Sequence, residues 1–341
     1  MIRKIEKLML SKKKLLLTFD YELFLGARSG TVDNCIIIPT KKVLEILEFH
    51  KITSAIFFVD TTYLITLKNN SNENCRVDFQ KIEKQIKEIK SSGHYVFPHL
   101  HPHWLDAKYL SENNQWDLSD TKKYSFSALT KNEQQHIFSQ SIKILEDIIG
   151  PQKDWGYRAG GWCIQPFSDF KPFFEEYKIW YEFSVLKGYS CASDFQNFNF
   201  MKAPDKKFYK FSDDVLIEDE KGQFTQMPIS NIKRSLITKI LNNVFIKFLY
   251  KKGIANYGDG LSTSSASVKE SKIGNSEMAS IELLTIINIT DYIKKVEKMD
   301  FLHFISHPKM LNPHNLNCLD VFLKKVLSKH ELITDFKKMI S

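Results

Sequence analysis

This 341-residue sequence lacks any apolar run long enough to cross a bilayer as a helix, so we expect no transmembrane segment. Residues 1–14 are basic but lack the long apolar run of a secretory signal, so no signal peptide is expected. The five cysteines are odd in number and never occur in Cys-x-x-Cys spacing, which disfavours a disulfide framework or a cysteine metal site. We therefore expect reduced thiols and a cytoplasmic protein.

The sequence also lacks a compact basic motif interleaved with aromatic residues. Its net charge is +8, but the lysines are spread through helical patterns, and residues 12–14 form the only short basic run. A nucleic-acid partner is therefore not expected. The positive charge is compatible with an acidic glycan or with a membrane surface. A peripheral membrane contact through the apolar, lysine-bearing helix predicted at 233–250 stays open beside a role for that helix in covering the core.

Apolar runs typical of buried strands alternate with helical patterns along the chain. Residues 15–19, 54–60, 95–97 and 301–306 are such runs. This alternation predicts an α/β fold with a mainly parallel sheet and helices outside it. We find no internal repeat and no second domain, so residues 1–341 are predicted to form one domain. A helical and loop insertion is expected around 231–300, with a long helix at 280–299 and a loop at 253–277.

Three histidines fall within five positions, at His99, His101 and His103. Imidazole is a common ligand for zinc and similar metals, and a cluster of three is unusual for a plain surface loop. His99 and His103 are four apart, so one tight turn could bring both rings to one side. If the segment is extended, His101 shares a face with His99 instead, and that alternative stays open.

Carboxylates follow the first predicted strand. Asp20 and Glu22 are two apart, so in extended chain they share a face while Tyr21 points away. Other polar residues also stand at predicted strand ends, namely Arg158 and His307. In barrels of parallel strands the chemistry gathers at the C-terminal edge of the sheet. Each of these residues could instead be a solvated strand-end charge or a structural ion-pair partner, and only their combination favours a site.

Four short motifs follow one another along the chain: Thr18-Phe19-Asp20-Tyr21-Glu22, Gly93-His94 with His99-x-x-x-His103, Arg158-x-Gly160-Gly161, and Ser306-His307-Pro308. In this order they resemble the polysaccharide deacetylases of carbohydrate esterase family 4, the NodB-homology type. The resemblance runs from about Leu15 to His307, which is most of the chain. The motifs are most similar to a branch associated with bacterial surface-polysaccharide synthesis. The resemblance implies a distorted (β/α) barrel with predominantly parallel strands and outer helices. It also implies a divalent metal and the removal of acetyl groups from N-acetylated sugars.

The sequence departs from the family pattern in ways that bear on the ligands. Tyr21 stands where the commonest pattern has a second Asp, so Glu22 takes over that role. Leu100 replaces the usual hydroxyl residue after the first histidine. The resemblance then implies that Glu22, His99 and His103 bind the metal, with zinc favoured and Co²⁺, Ni²⁺ or Mn²⁺ also suitable.

Catalytic roles follow from the same resemblance. Asp20 would be the base, Arg158 would orient it, and His307 would protonate the leaving nitrogen. Backbone N–H groups of residues 160–162 could help bind the oxyanion. The predicted enzyme is a carbohydrate deacetylase acting on an N-acetylated saccharide. The alternatives are a barrel amidohydrolase acting on a non-sugar C–N bond and a catalytically silent glycan-binding relative.

Overall fold

The computed structural model describes residues 11–26, 28–262, 269–272 and 276–341. Its main sheet has nine strands in the order β10-β11-β7-β6-β3-β2-β1-β15, with β16 pairing with β1 alongside β15. Every pairing in this sheet is parallel except β10 with β11. The strands are β1 (Ser11–Tyr21), β2 (Ile56–Asp60), β3 (Tyr95–Leu100), β6 (Trp155–Ala159), β7 (Ile179–Glu182), β10 (Tyr209–Phe211), β11 (Phe224–Gln226), β15 (Phe301–Ser306) and β16 (His330–Ile333).

Helices lie outside this curled sheet, so the prediction of a distorted, mainly parallel α/β barrel is confirmed. The sheet is a half-barrel, and the segments around Ser230 and Ala279 pack against β15 where a closed barrel would continue. The helices are α1 (Ile38–Phe49), α2 (Thr61–Asn69), α3 (Glu73–Ser91), α4 (Lys131–Ile149), α5 (Lys171–Glu176), α6 (Leu236–Lys251), α7 (Ile289–Met299), α8 (Pro313–Leu327) and α9 (Phe336–Ile340).

Among the described residues, three smaller sheets lie outside the main sheet. Strands β4 (Lys108–Leu110) and β5 (Gln115–Asp117) form a pair. A three-stranded sheet is made by β8 (Tyr189–Ala192), β9 (Asn197–Asn199) and β13 (Lys269–Lys272), and β12 (Asn231–Lys233) pairs with β14 (Ser276–Met278). Among the described residues, none of the helices is long and apolar enough to cross a bilayer.

The strands are buried on both faces, as parallel strands between helices must be. In β2 every residue is buried, and in β1 only the first residues reach the surface. Helix α4 begins with a capping box, in which Thr130 and Glu133 satisfy each other's backbone N–H groups. Its apolar face packs on the sheet through Ile137, Phe138 and Leu145. These are the elements that the period of apolar residues predicted.

The segment before β15 differs from the prediction. A helix was expected at 280–299, but α7 begins only at Ile289. Residues 279–284 instead run beside β15, where the backbone N–H of Ile281 donates to Ser306 Oγ at 2.8 Å. Apolar residues at 279, 281 and 284 gave a helix-like pattern, but they are buried by contact with the sheet. The predicted loop 253–277 contains β13 and the start of β14, and residues 263–268 and 273–275 of that prediction lie outside the described residues.

Candidate active site

Asp20 and Arg158 form an ion pair at the C-terminal edge of the sheet. Arg158 lies on β6 and donates from Nη1 to Asp20 Oδ1 at 2.5 Å. Its Nη2 donates to Thr18 Oγ1 at 2.8 Å and its Nε to the carbonyl of Phe183 at 3.1 Å. The guanidinium also stacks 4.3 Å from the centre of the Phe58 ring. Arg158 is fully buried, so these contacts fix its position and leave its charge facing Asp20.

The environment keeps Asp20 ionised. Burial acts to raise the pKa of Asp20, but Arg158, and then His99 and His307, outweigh it, so the net shift is downward. The remaining oxygen, Oδ2, lies 3.5 Å from His307 Nε2. One carboxylate oxygen is thus held by the guanidinium, while the other faces an imidazole. This arrangement suits a base that accepts a proton on Oδ2.

Glu22, His99 and His101 form a buried cluster beside this pair. Glu22 Oε2 lies 3.1 Å from His99 Nε2 and 2.7 Å from His101 Nε2, and the two Nε2 atoms are 3.0 Å apart. The order of the parallel strands explains why these distant residues meet. β1 and β3 both pair with β2, where Tyr21 is level with Val59 and Asp60 with His99, so the residues after Tyr21 reach the same edge of the sheet as His99. One ligand atom from each residue lies within 4.8 Å of the others, a grouping that could hold a metal ion.

The chemistry of this donor set fits a divalent transition metal. His99 Nδ1 lies 2.7 Å from the carbonyl oxygen of Arg158, so Nδ1 carries the proton and Nε2 presents its lone pair to the cluster. Two imidazoles and one carboxylate are a common set for catalytic zinc. Ligands about 2.0–2.1 Å from a tetrahedral zinc stand roughly 3.3 Å apart. The three donor atoms are 2.7 to 3.1 Å apart, so they need to separate by about 0.2 to 0.6 Å.

His103, which the sequence analysis placed in the ligand set, is not in this group. β3 stays extended to Leu100, so His101 follows His99 on the same side, and Pro102 then begins a 3₁₀ turn that carries His103 away. The ring of His103 stacks on Tyr124, with centroids 5.1 Å apart. Burial, followed by the neighbouring His101, lowers the pKa of His103 to about 3. The open alternative, an extended segment with His101 beside His99, is the arrangement observed.

His307 faces both Asp20 and Glu22, with Nε2 3.5 Å from Asp20 Oδ2 and 3.8 Å from Glu22 Oε1, and it is held by Glu282. Its backbone N–H donates to Glu282 Oε2 at 3.0 Å, and its Nδ1 lies 3.3 Å from both oxygens of that carboxylate. Burial acts to lower the pKa of His307, but Glu282 outweighs it, with Asp20 and Glu22 adding to the effect, and the pKa rises to about 9. The ring is therefore held as a cation with Nε2 facing the site, which suits a proton donor.

Lys309 is a second buried cation at the site. Its Nζ donates to Glu22 Oε1 at 2.8 Å and to the carbonyl of Leu23 at 2.5 Å. Burial acts to raise the pKa of Glu22, but Lys309, and then His101, drives it well below its usual range. Lys309 occupies Oε1, so Glu22 offers its other oxygen, Oε2, to the histidines.

Two glycines allow the loop after β6 to approach the histidines. A Cβ on Gly160 would stand 2.3 Å from the carbonyl oxygen of Leu100 and 2.7 Å from His101 Nδ1. Gly161 has φ +57°, and a Cβ there would meet the ring of Tyr124 at 2.6 Å. Substitution at either position would push the loop off the His101 side of the site. The predicted oxyanion role of their N–H groups stays a prediction.

Three site residues were missed by sequence reasoning. Asp60 ends β2 and accepts from Trp104 Nε1 at 2.6 Å, and the pattern of polar strand ends could have found it. Lys309 follows the Ser306-His307-Pro308 motif, but lysine is rarely buried, so nothing marked it. Glu282 lay inside a predicted helix, and no signal in the sequence pointed to its place beside His307.

Comparisons with known proteins were made for sequence and for structure. No protein-family model matches the sequence, and no curated protein sequence matches it either. A Mycobacterium smegmatis protein assigned provisionally as a polysaccharide deacetylase is similar in structure, with a TM-score of 0.48 and 13% identity over 96% of this chain and 89% of that one. The Puue allantoinase is also similar, with a TM-score of 0.43 and 10% identity over 94% and 85%. Similarity at this level carries no argument about chemistry, which has to come from the site.

Proposed function

We propose that this chain is a metal-dependent hydrolase that removes an acetyl group from an N-acetylated sugar. The observation that carries the proposal is the convergence of Asp20, His307 and the Glu22–His99–His101 cluster at the C-terminal edge of the sheet. His307 Nε2 lies 3.5 Å from Asp20 Oδ2 and 3.8 Å from Glu22 Oε1. These groups could supply a base, an acid and a set of metal ligands within one site. The sugar, as opposed to another amide, rests on the resemblance of the four sequence motifs.

In the proposed reaction, Glu22, His99 and His101 would hold the metal. A bound divalent cation would polarise the acetamide carbonyl and make the attacking water more acidic. Asp20, oriented by Arg158, accepts a proton from that water on Oδ2 as the new C–O bond forms. His307 then donates its Nε2 proton to the sugar nitrogen as the C–N bond breaks. The products are acetate and an ammonium group on the sugar, so one water is consumed and charge balances. The proton left on Asp20 Oδ2 returns to His307 Nε2, 3.5 Å away, and restores both groups.

The arrangement of charge supports this division of roles. Asp20 is held ionised by a guanidinium that makes three further contacts, whereas His307 is held protonated by Glu282. Groups whose environments push their protonation states apart are the pattern expected of an acid and base pair. A glycan-binding relative without activity would not need to keep one group deprotonated and the other protonated.

Purified protein should be stripped with a chelator, reloaded separately with Zn²⁺, Co²⁺, Ni²⁺ or Mn²⁺, and assayed for acetate release. The substrates are N-acetylated oligosaccharides, O-acetylated sugars and a cyclic ureide. Acetate from N-acetylated sugars that depends on metal is the expected result. Turnover of the ureide alone would favour the non-sugar amidohydrolase, and glycan binding without acetate release would favour a silent relative.

A further inference from the structure

Helix α6 has the reverse of the usual amphipathic arrangement. Six of its apolar side chains face outward, each between 50 and 70% exposed. Its two buried residues are Asn242 and Leu249. A surface helix normally turns its apolar stripe to the core and its polar face to water. The outward apolar residues are Leu236, Ile237, Ile240, Leu241, Val244 and Phe248.

Specific polar contacts fix this orientation. Asn242 Oδ1 accepts from Thr285 Oγ1 at 2.5 Å and from Asn288 Nδ2 at 3.3 Å. Phe245 packs on His314 of α8, with ring centroids 5.2 Å apart. Rotating the helix to bury its apolar face would strand the buried amide of Asn242 and break these contacts. The exposed apolar face is therefore set by the fold.

The charged residues in the sequence around this helix are all basic. From Lys221 to Gly258 the sequence contains no Asp or Glu. Within α6 and just after it stand Lys239, Lys247, Lys251 and Lys252. At 100° per residue, Lys247 and Lys251 fall within the apolar sector itself, where long side chains can extend their charge past the apolar surface.

Basic charge continues beyond the N-terminal end of α6. A cavity of about 590 Å³ lies beside β12 and α7, and its lining includes Lys233, Lys294, Lys295 and Lys298. Asp205 and Asp291 also line it, so lysines outnumber carboxylates. Burial, with Lys233 and Lys298 adding to it, lowers the pKa of Lys295. The outward apolar stripe is thus flanked by an excess of positive charge.

We propose that α6 docks this protein on an anionic phospholipid surface. An amphipathic helix with lysines beside its apolar face lies in the plane of a membrane interface, where apolar burial and attraction to anionic headgroups add. A second copy of the chain is a poorer occupant. Two such faces brought together would place Lys247 and Lys251 against their own copies with no carboxylate to pair with them. The inference does not rest on the proposed reaction.

Docking through α6 would also bring the membrane near the candidate active site. Thr285, which contacts Asn242, is three residues from Glu282, the partner of His307. After α6, the backbone N–H of Gly258 donates to the carbonyl of Lys309 at 3.0 Å. The segment that contacts α6 therefore also contains Glu282, and the segment that follows α6 contacts Lys309.

The test is flotation of the full-length protein with vesicles of phosphatidylcholine alone or with added phosphatidylglycerol. Binding to the anionic vesicles, weakened by salt, is expected. Lys247→Gln with Lys251→Gln should weaken partition about 30-fold, since each basic residue near an anionic surface contributes about 1 kcal/mol. Ile240→Ser with Val244→Ser should weaken it by at least an order of magnitude, since these side chains would bury apolar surface in the interface.

Ile217→Ser is the matched control, because Ile217 is exposed as fully as Ile240 but lies outside α6. It should float as wild type does. Since the substituted α6 residues face solvent, circular dichroism and thermal unfolding of all variants should match wild type. Equal binding by wild type and both α6 variants would overturn the proposal. The proposal would also be overturned if wild type bound neither kind of vesicle. In that event, a lipid-free dimer that dissociates in the Ile240→Ser, Val244→Ser variant would show that the face binds a second copy of the chain instead.

Discussion

Arg158 Nη1 and Asp20 Oδ1 lie 2.5 Å apart, in a pair joined across 138 positions of sequence. Neither side chain is accessible to solvent to any extent that could hydrate the charges. The guanidinium is held in place by its contacts with Thr18, Phe183 and Phe58. Asp20 Oδ1 accepts from the guanidinium, and Oδ2 faces His307. The ion pair therefore fixes both the ionisation and the direction of the proposed base.

Asp20→Asn should lower kcat by about 10² to 10⁴, the usual contribution of a positioned base. Metal content should stay at the wild-type level, because Asp20 is not in the ligand group. Acetate release and elemental analysis on the same preparation make the measurement. Asp120→Asn, at an exposed position, is the control. A variant that keeps wild-type turnover would show that Asp20 is not the base.

His101→Ala should lose most of the bound metal, whereas His103→Ala should keep it. His101 Nε2 stands 2.7 Å from Glu22 Oε2, while His103 is turned onto Tyr124. The measurement is metal stoichiometry after dialysis against a weak chelator. The opposite result would restore the ligand set that the spacing of four residues suggested.

Glu282→Gln should lower kcat by at least an order of magnitude with little change in KM. Glutamine can still accept from the backbone N–H of His307, but it no longer supplies the negative charge that keeps the ring protonated. Steady-state kinetics with a thermal unfolding curve is the measurement. If Tm and kcat fall together, Glu282 has only a structural role.

Lys309→Met should destabilise the metal-free protein and enlarge the stabilisation produced by added metal. Without the ammonium, Glu22 is a buried carboxylate whose Oε1 has lost its charged partner, and a bound cation would relieve it. Thermal unfolding with and without Zn²⁺ measures both effects. Lys252→Met, at an exposed position just after α6, is the control. An unchanged metal-induced shift in Tm would mean that Lys309 and the metal do not share Glu22.

In the wild-type protein, ionisation of Glu182 should lower the free energy of unfolding as pH rises. Glu182→Gln should remove this loss. Both oxygens of Glu182 accept from the N–H of Ser184, but burial raises the pKa of this carboxyl to about 7. A raised folded-state pKa adds stability below the unfolded value, near pH 4.5, that is lost as pH rises towards about 7. From about pH 4.5 to about pH 7 the variant should therefore gain stability relative to wild type, by at most about 1.4 kcal/mol per pH unit, with little further gain above pH 7. The measurement is the free energy of unfolding of both proteins from denaturant curves at several pH values. A difference between variant and wild type that does not change with pH would show that Glu182 does not titrate in this range.

Much of the fold could be predicted because strands and helices have different periods of apolar residues. The runs at 15–19, 54–60 and 301–306 all became parallel strands, and the α/β class followed from their alternation with helices. The prediction that a helix begins at residue 280 was wrong, because the irregular segment buried against β15 has the same spacing of apolar residues as a helix. Local pattern cannot separate these two forms of burial.

The sequence by itself determined which polar residues stand at strand ends, because a strand's own length and apolar run decide where it stops. Asp20, Glu22, His99, Arg158 and His307 were all found in that way. Only the tertiary structure decided that His101 rather than His103 joins Glu22, that Glu282 and Lys309 enter the site, and that α6 turns its apolar face outward. These choices depend on strand register, on the turn at Pro102 and on contacts between residues far apart in sequence, which no local pattern records.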